Sequence, residues 1–209
     1  MKLYTITPPT WLKLLYGRGF LWAVNSAEKD IYLTFDDGPQ PGVTNWVLDV
    51  LKEYNAKATF FCIGHNVAKH PELYRRIIAE GHAIGNHTYN HINGLKSGRG
   101  EYIDNINKAA EVIDSKLFRP PYGKLTWAQA RWVKKHYKPV MWSALAADWD
   151  KNVSPEECYA NVVNNTRPGA IIVFHDSIKA EYNLKNSLPQ YLNYLKANGY
   201  TPRILSNNY

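Results

Sequence analysis

The chain has 209 residues, 45% of them hydrophobic, and only two cysteines, so it can build a sizeable core and is not a small scaffold stapled by disulfides. A net charge of +7 is spread through helical segments rather than gathered into a block, and no helix-turn-helix, zinc-finger or RNA-binding pattern accompanies it. That combination argues against a nucleic-acid partner and for one globular domain.

Residues 1–28 read as an N-terminal extension. Leu12, Leu14, Leu15, Phe20, Leu21 and Trp22 are apolar, but Lys13, Arg18 and two prolines interrupt them. No unbroken apolar stretch marks a signal peptide or a membrane span, so a cytoplasmic or membrane-peripheral location is expected. The extension is expected either to pack on the domain or to lie as an interfacial segment touching a membrane surface.

Residues 29–209 alternate between two patterns. Short apolar runs at Ile31–Phe35, Ala58–Ile63, Ala83–Asn86, Leu117–Arg119, Pro139–Ser143, Ala170–Phe174 and Tyr200–Ile204 predict about seven buried parallel strands. Helical patterns lie between them, the first placing Val43, Trp46, Val47, Val50, Leu51 and Tyr54 on one face. Pro71 opens a helix that Gly81 closes, Ser154-Pro155-Glu156-Glu157 carries a capping box, and a last helix is expected from Ser187 to Asn198. A helix after each strand argues for an α/β fold: a closed or partly closed parallel barrel, with a doubly wound open sheet as the alternative.

Chemically capable residues follow the strands. Asp36-Asp37 follows the first, His87 and His91 the third, Arg119 the fourth, Asp148 the fifth and His175-Asp176 the sixth. In a barrel all of them converge on the rim at the C-terminal strand ends. His87 and His91, at i and i+4, meet on one face if that turn is helical and can then chelate a divalent ion; by spacing alone, two surface histidines on a loop are the commoner reading. A carboxylate from Asp36-Asp37 completes a set of two histidines and one carboxylate with open positions, although Asp-Asp-Gly-Pro is also good turn chemistry.

These segments, Thr34-Phe35-Asp36-Asp37-Gly38, His87-Thr88-Tyr89-Asn90-His91, Arg119-Pro120-Pro121-Tyr122-Gly123 and Val173-Phe174-His175, occur in an order that resembles the polysaccharide deacetylase family. This is carbohydrate esterase family 4, the NodB homology domain. The resemblance covers about Lys29 to Ile204 and implies a distorted (β/α) barrel, a divalent metal and removal of N-acetyl, sometimes O-acetyl, groups from glycans. It implies Asp37, His87 and His91 as metal ligands, Asp36 as base, Arg119 as the partner of Asp36, and His175 as acid with Asp148 behind it. It further implies the Tyr122 amide as an oxyanion donor. Beside these motifs, Pro121 and the aromatic faces of Tyr122 and Trp149 are expected against the substrate. Zinc suits these ligands best; cobalt, nickel, manganese and iron also fit. The chain departs from the family at Leu145, where an aspartate is frequent, and at Val173, where leucine is usual. An O-acetyl esterase on xylan-type glycans and a non-catalytic glycan-binding barrel are the competing expectations.

Overall fold

The computed structural model describes residues 4–206; Met1–Leu3 and Asn207–Tyr209, the outer ends of the segments 1–28 and 29–209, lie outside them. In chain order the elements are α1 (Thr10–Tyr16), β1 (Asp30–Asp36), α2 (Val43–Glu53), β2 (Thr59–Cys62), α3 (Gly64–Lys69), α4 (Pro71–Ala79) and β3 (Ala83–Asn86). There follow α5 (Arg99–Ala110), β4 (Leu117–Phe118), α6 (Trp127–His136), β5 (Lys138–Pro139), β6 (Ala144–Leu145), α7 (Pro155–Val163), β7 (Ile171–His175), α8 (Glu181–Ala197) and β8 (Thr201–Pro202). The strands pair in parallel in the order β5-β4-β3-β2-β1-β7-β6, and β8 pairs with the start of β1. Seven strands, with β8 appended at the start of β1, thus form a curled half-barrel, the distorted (β/α) barrel that the family resemblance implies, rather than the doubly wound open sheet that the alternation also allowed.

Both faces of the central strands are buried, and they do different work. Ile31, Leu33 and Phe35 of β1 join Phe60, Ile172, Phe174 and the inner faces of α2, α7 and α8 in the largest apolar cluster. Side chains alternate across a strand, so Tyr32, Thr34 and Asp36 point the other way. There Tyr32, Phe61, Leu117, Val140 and Ile171 fill the barrel floor. Gly85 is required beside them, because a Cβ at that position would lie 2.4 Å from the Phe61 ring.

Two expectations about elements are corrected. The run Pro139–Ser143 is not one strand: β5 and β6 lie at opposite ends of the sheet, with the chain between them crossing the open side and no helix intervening. Val140 N–H donates to Phe118 O and Ser143 N–H to Ile171 O, while the N-terminal extension satisfies Pro139 O and Met141 N–H and is itself anchored at Gly169. Leu21 N–H donates to Pro139 O (2.8 Å), Met141 N–H to Leu21 O (2.7 Å) and Val24 N–H to Gly169 O (2.8 Å). The last helix begins at Glu181, not Ser187, and carries Pro189 inside it. Asn183, Leu184, Ser187, Leu188, Tyr191, Leu192 and Leu195 form a continuous buried stripe on either side of the proline, and that packing holds a helix which the proline disfavours locally. The capping box at Ser154 forms as expected, with Glu157 N–H donating to Ser154 Oγ (3.2 Å) and Ser154 N–H to Glu157 Oε2 (2.9 Å).

Candidate active site

Asp36 ends β1 and His175 ends β7, and the two are register partners on adjacent strands, so their side chains emerge side by side on the inner face. Arg119 follows β4 and is buried to 1% exposure. Its guanidinium stacks 4.1 Å from the centre of the Phe61 ring. Nη1 donates to Asp36 Oδ1 (2.6 Å) and Thr34 Oγ1 (2.8 Å), Nη2 to Met141 O (2.9 Å) and Nε to Val140 O (3.3 Å). Four acceptors therefore hold the cation, and its carboxylate partner repays part of the cost of burying the charge. Among the described residues nothing donates to Asp36 Oδ2, which is left for chemistry.

Asp148, three residues beyond β6, grips His175 twice. Its Oδ2 accepts the His175 backbone N–H (2.8 Å) and its Oδ1 lies 2.9 Å from His175 Nδ1. Burial alone would depress the imidazole, but Asp148, with Asp37 and Asp36, lifts it to about 9. Trp149 packs its ring edge-on, with centroids 4.5 Å from His175. The departure at Leu145 leaves a buried leucine whose register partner is Val173, the other departure.

Asp37, His87 and His91 bring one ligand atom each within 4.8 Å of one another. His87 Nδ1 lies 2.7 Å from Arg119 O, an arrangement that puts the proton on Nδ1 and the lone pair on Nε2. Burial pushes His87 down to about 4, so the ring is neutral and ready to ligate. Asp37 Oδ1 is buried and accepts no hydrogen bond, yet stands 3.2 Å from His91 Nε2 and 3.7 Å from His87 Nε2. Burial opposes its ionisation; the imidazoles of His91, His175 and His87 nevertheless hold its carboxyl well below the usual carboxylate range. An orphaned carboxylate oxygen facing two imidazole nitrogens is a donor set that fits a divalent cation.

The histidine pair does not sit on a helical turn. Thr88 (φ 62°) and His91 (φ 54°) are left-handed, and residues 87–93 form a loop. The Asn105 side-chain oxygen of α5 takes the N–H groups of Tyr89 (2.8 Å) and Asn90 (3.0 Å), and Asn86 Oδ1 takes that of Thr88 (2.8 Å). These side chains replace the helical ladder. Asp37 (φ 81°), Tyr122 (φ 61°) and Ala147 (φ 63°), the residue before Asp148, are left-handed as well, so five non-glycine residues at the rim hold a sparsely populated backbone conformation. Tyr122 lies in a tight turn, Pro121–Gly123. Its exposed ring sits 4.7 Å from that of His91, and Pro121 is buried beneath it.

Three supporting residues had no role assigned from the sequence. Asp176 is fully buried; its Oδ1 accepts the Gly38 N–H (3.0 Å) and its Oδ2 the Thr44 hydroxyl (2.5 Å). A Cβ on Gly38 would meet Asp176 Oδ2 at 1.9 Å, which explains the glycine after Asp37. Burial, helped by the charge of Asp37, raises Asp176 to about 8. Asn66 donates to Asp37 O (2.8 Å), and Thr34 joins Arg119 to Ile172 O. Thr34 opens the first motif and Asp176 adjoins His175, whereas nothing in the sequence points to Asn66. Cys62 and Cys158 are free, buried thiols.

Comparison with known proteins agrees with this geometry. The polysaccharide deacetylase family profile matches residues 23–138. A peptidoglycan-N-acetylglucosamine deacetylase of Bacillus cereus is 40% identical over 178 residues, which cover 82% of this chain and 63% of that relative, a little under two thirds of its length. A second B. cereus protein of the same name is 37% identical over 193 residues, covering 86% of this chain and 87% of the relative. A solved peptidoglycan N-acetylglucosamine deacetylase superposes with a TM-score of 0.85 at 34% identity, over 92% of this chain and 93% of its own. The chain belongs to the polysaccharide deacetylase family.

Proposed function

We propose that the chain hydrolyses the acetamide of N-acetylglucosamine-type residues in a peptidoglycan- or chitin-like glycan, releasing acetate, with zinc held by Asp37, His87 and His91. The observation that carries the reading is the pairing of two oppositely prepared groups around those three ligands. Asp36 is clamped by a cation with one oxygen free, and His175 is clamped by a carboxylate that keeps it protonated. A divalent ion bound there supplies a Lewis acid for the acetyl carbonyl and lowers the pKa of a water. Asp36 Oδ2 takes the proton of the attacking water. The Tyr122 N–H, which no carbonyl of the described residues accepts, donates to the oxygen that gains charge as the carbonyl carbon becomes tetrahedral. His175 gives its Nε2 proton to the sugar nitrogen, the carbon–nitrogen bond breaks, and a free amine and acetate leave. Amines depart only when protonated, so a strongly held imidazolium suits an amide more than an ester.

The test is acetate release from N-acetylglucosamine oligomers and from peptidoglycan, before and after chelation and zinc replacement, with His87→Ala as control. Release that chelation abolishes, zinc restores and the variant lacks is expected. Metal binding with no acetate from either substrate overturns the reading.

A further inference from the structure

Beside the rim, on the outer wall, Tyr16, Arg99, Trp127, Ala130, Arg131 and Lys134 line a groove of about 520 Å³. Trp127, Ala130, Arg131 and Lys134 stand at i, i+3, i+4 and i+7 on α6, a single stripe. The Trp127 indole is 66% exposed. Some cations elsewhere are paired, Arg75 with Glu72, Arg76 with Asp49 and Glu80, and Lys185 with Glu181; what distinguishes this groove is that three basic side chains line one concave surface beside an exposed indole, with Lys134 Nζ also 6.0 Å from the Phe20 ring. Arg99, Arg131 and Lys134 have no carboxylate partner among the described residues, and no carboxylate lines the groove. Three cations around an open indole repel one another unless an anion enters.

The groove is tied to the catalytic rim. Tyr16, supplied by α1 and lying outside the residues matched by the family profile, donates its hydroxyl to Gly123 O (3.0 Å) and accepts the Leu125 N–H (3.1 Å). Gly123 adjoins Tyr122, whose ring faces His91. From Tyr122 to Trp127 the chain can span at most about 17 Å, so one extended ligand can touch both places. An indole face suits the apolar face of a pyranose ring, and guanidinium forks suit carboxylates.

We propose that this groove binds a carboxylate-bearing sugar chain and holds the distal part of the glycan whose acetylated residue lies at Asp37, His87 and His91. The inference rests on the glycan reading of the rim. The competing occupant is an anionic lipid surface, because Trp11, Leu14 and Leu15 of α1 are exposed nearby in sequence.

The experiment is equilibrium binding of the full chain to carboxymethyl chitin, to neutral glycol chitin and to phosphatidylglycerol–phosphatidylcholine vesicles, with acetate release measured separately. Carboxymethyl chitin is expected to bind at least tenfold tighter than glycol chitin, with the preference shrinking as salt is added. Arg131→Glu combined with Lys134→Glu is expected to erase the preference, with Arg131→Gln giving a partial loss should the double reversal unfold α6. Trp127→Ala is expected to weaken both polymers severalfold. A preference that survives in the charge variants overturns the inference, as does vesicle binding without binding to carboxymethyl chitin. Absence of acetate release with groove-dependent binding intact defeats the deacetylase reading and leaves the groove standing. Acetate release with groove-independent binding defeats the groove alone.

Discussion

His87 and His175 are the same residue type driven in opposite directions. His87, buried with its Nδ1 proton given to a carbonyl, falls to about 4 and offers a lone pair; His175, buried against Asp148, rises to about 9 and keeps its proton. The working form of His175 is protonated, so activity that needs it is present below its pKa and is lost as pH rises through about 9. Asp148→Asn removes the charge that holds the proton while keeping a similar shape. We expect the alkaline limb of the kcat/KM profile to move down by more than one pH unit. An unmoved limb in that variant sinks the pairing of acid and carboxylate.

At the scale of an element, the loop of residues 87–93 determines whether two histidines become two ligands. Left-handed Thr88 and His91 turn the rings to centroids 5.0 Å apart, and Asn105, reaching over from α5, takes two of the N–H groups such a turn leaves free. Asn105→Ala removes the side-chain acceptor of both, leaves Tyr89 N–H only the Asn105 backbone carbonyl (3.2 Å), and gives the loop room to rearrange. Zinc affinity, read by competition against a coloured chelator, should fall about tenfold, the loss usual when a residue that orients ligands is removed. Unchanged affinity would show that the loop holds its shape without Asn105. The same geometry explains why the i, i+4 spacing brings the two imidazoles together although the turn is not helical.

Across the whole molecule, the extension closes the open side of the half-barrel. Leu21 bonds to both Pro139 and Met141, and the carbonyls of Val140 and Met141 in turn hold Arg119 against Asp36. The closure depends on Gly169 (φ 76°), where a Cβ would lie 1.8 Å from Val24 O. Gly169→Ala therefore combines a strained backbone with a backbone collision. We expect a loss of about 3 kcal/mol or more in urea unfolding, and a fall in turnover at temperatures where the protein remains folded. A change within about 0.5 kcal/mol would show that residues 21–24 are not a structural lock.

Some of this was legible along the chain. Short apolar runs separated by helical stripes are local patterns, and they prescribe parallel strands covered by helices whatever the tertiary detail. Asp36, Asp37, His87, His91, Arg119 and His175 were recognisable because each follows a strand and strand ends gather at one rim. Pro139–Ser143 misled because an apolar run records burial and not pairing, and its partner, Leu21, lies more than a hundred residues away. The helical reading of His87–His91 failed because a side chain from another helix outbid the backbone ladder. Asp176, Asn105, Thr34 and Tyr16 act through contacts that chain order does not encode. Composition and periodicity determined a parallel α/β fold with polar strand ends, since those follow from burial and strand alternation; the barrel rather than an open sheet came from the family resemblance. Only the tertiary structure decided which nitrogen of His87 is free, that Asp148 grips both the ring and the backbone N–H of His175, and which cations stand unpaired on α6, because each depends on neighbours brought together by folding.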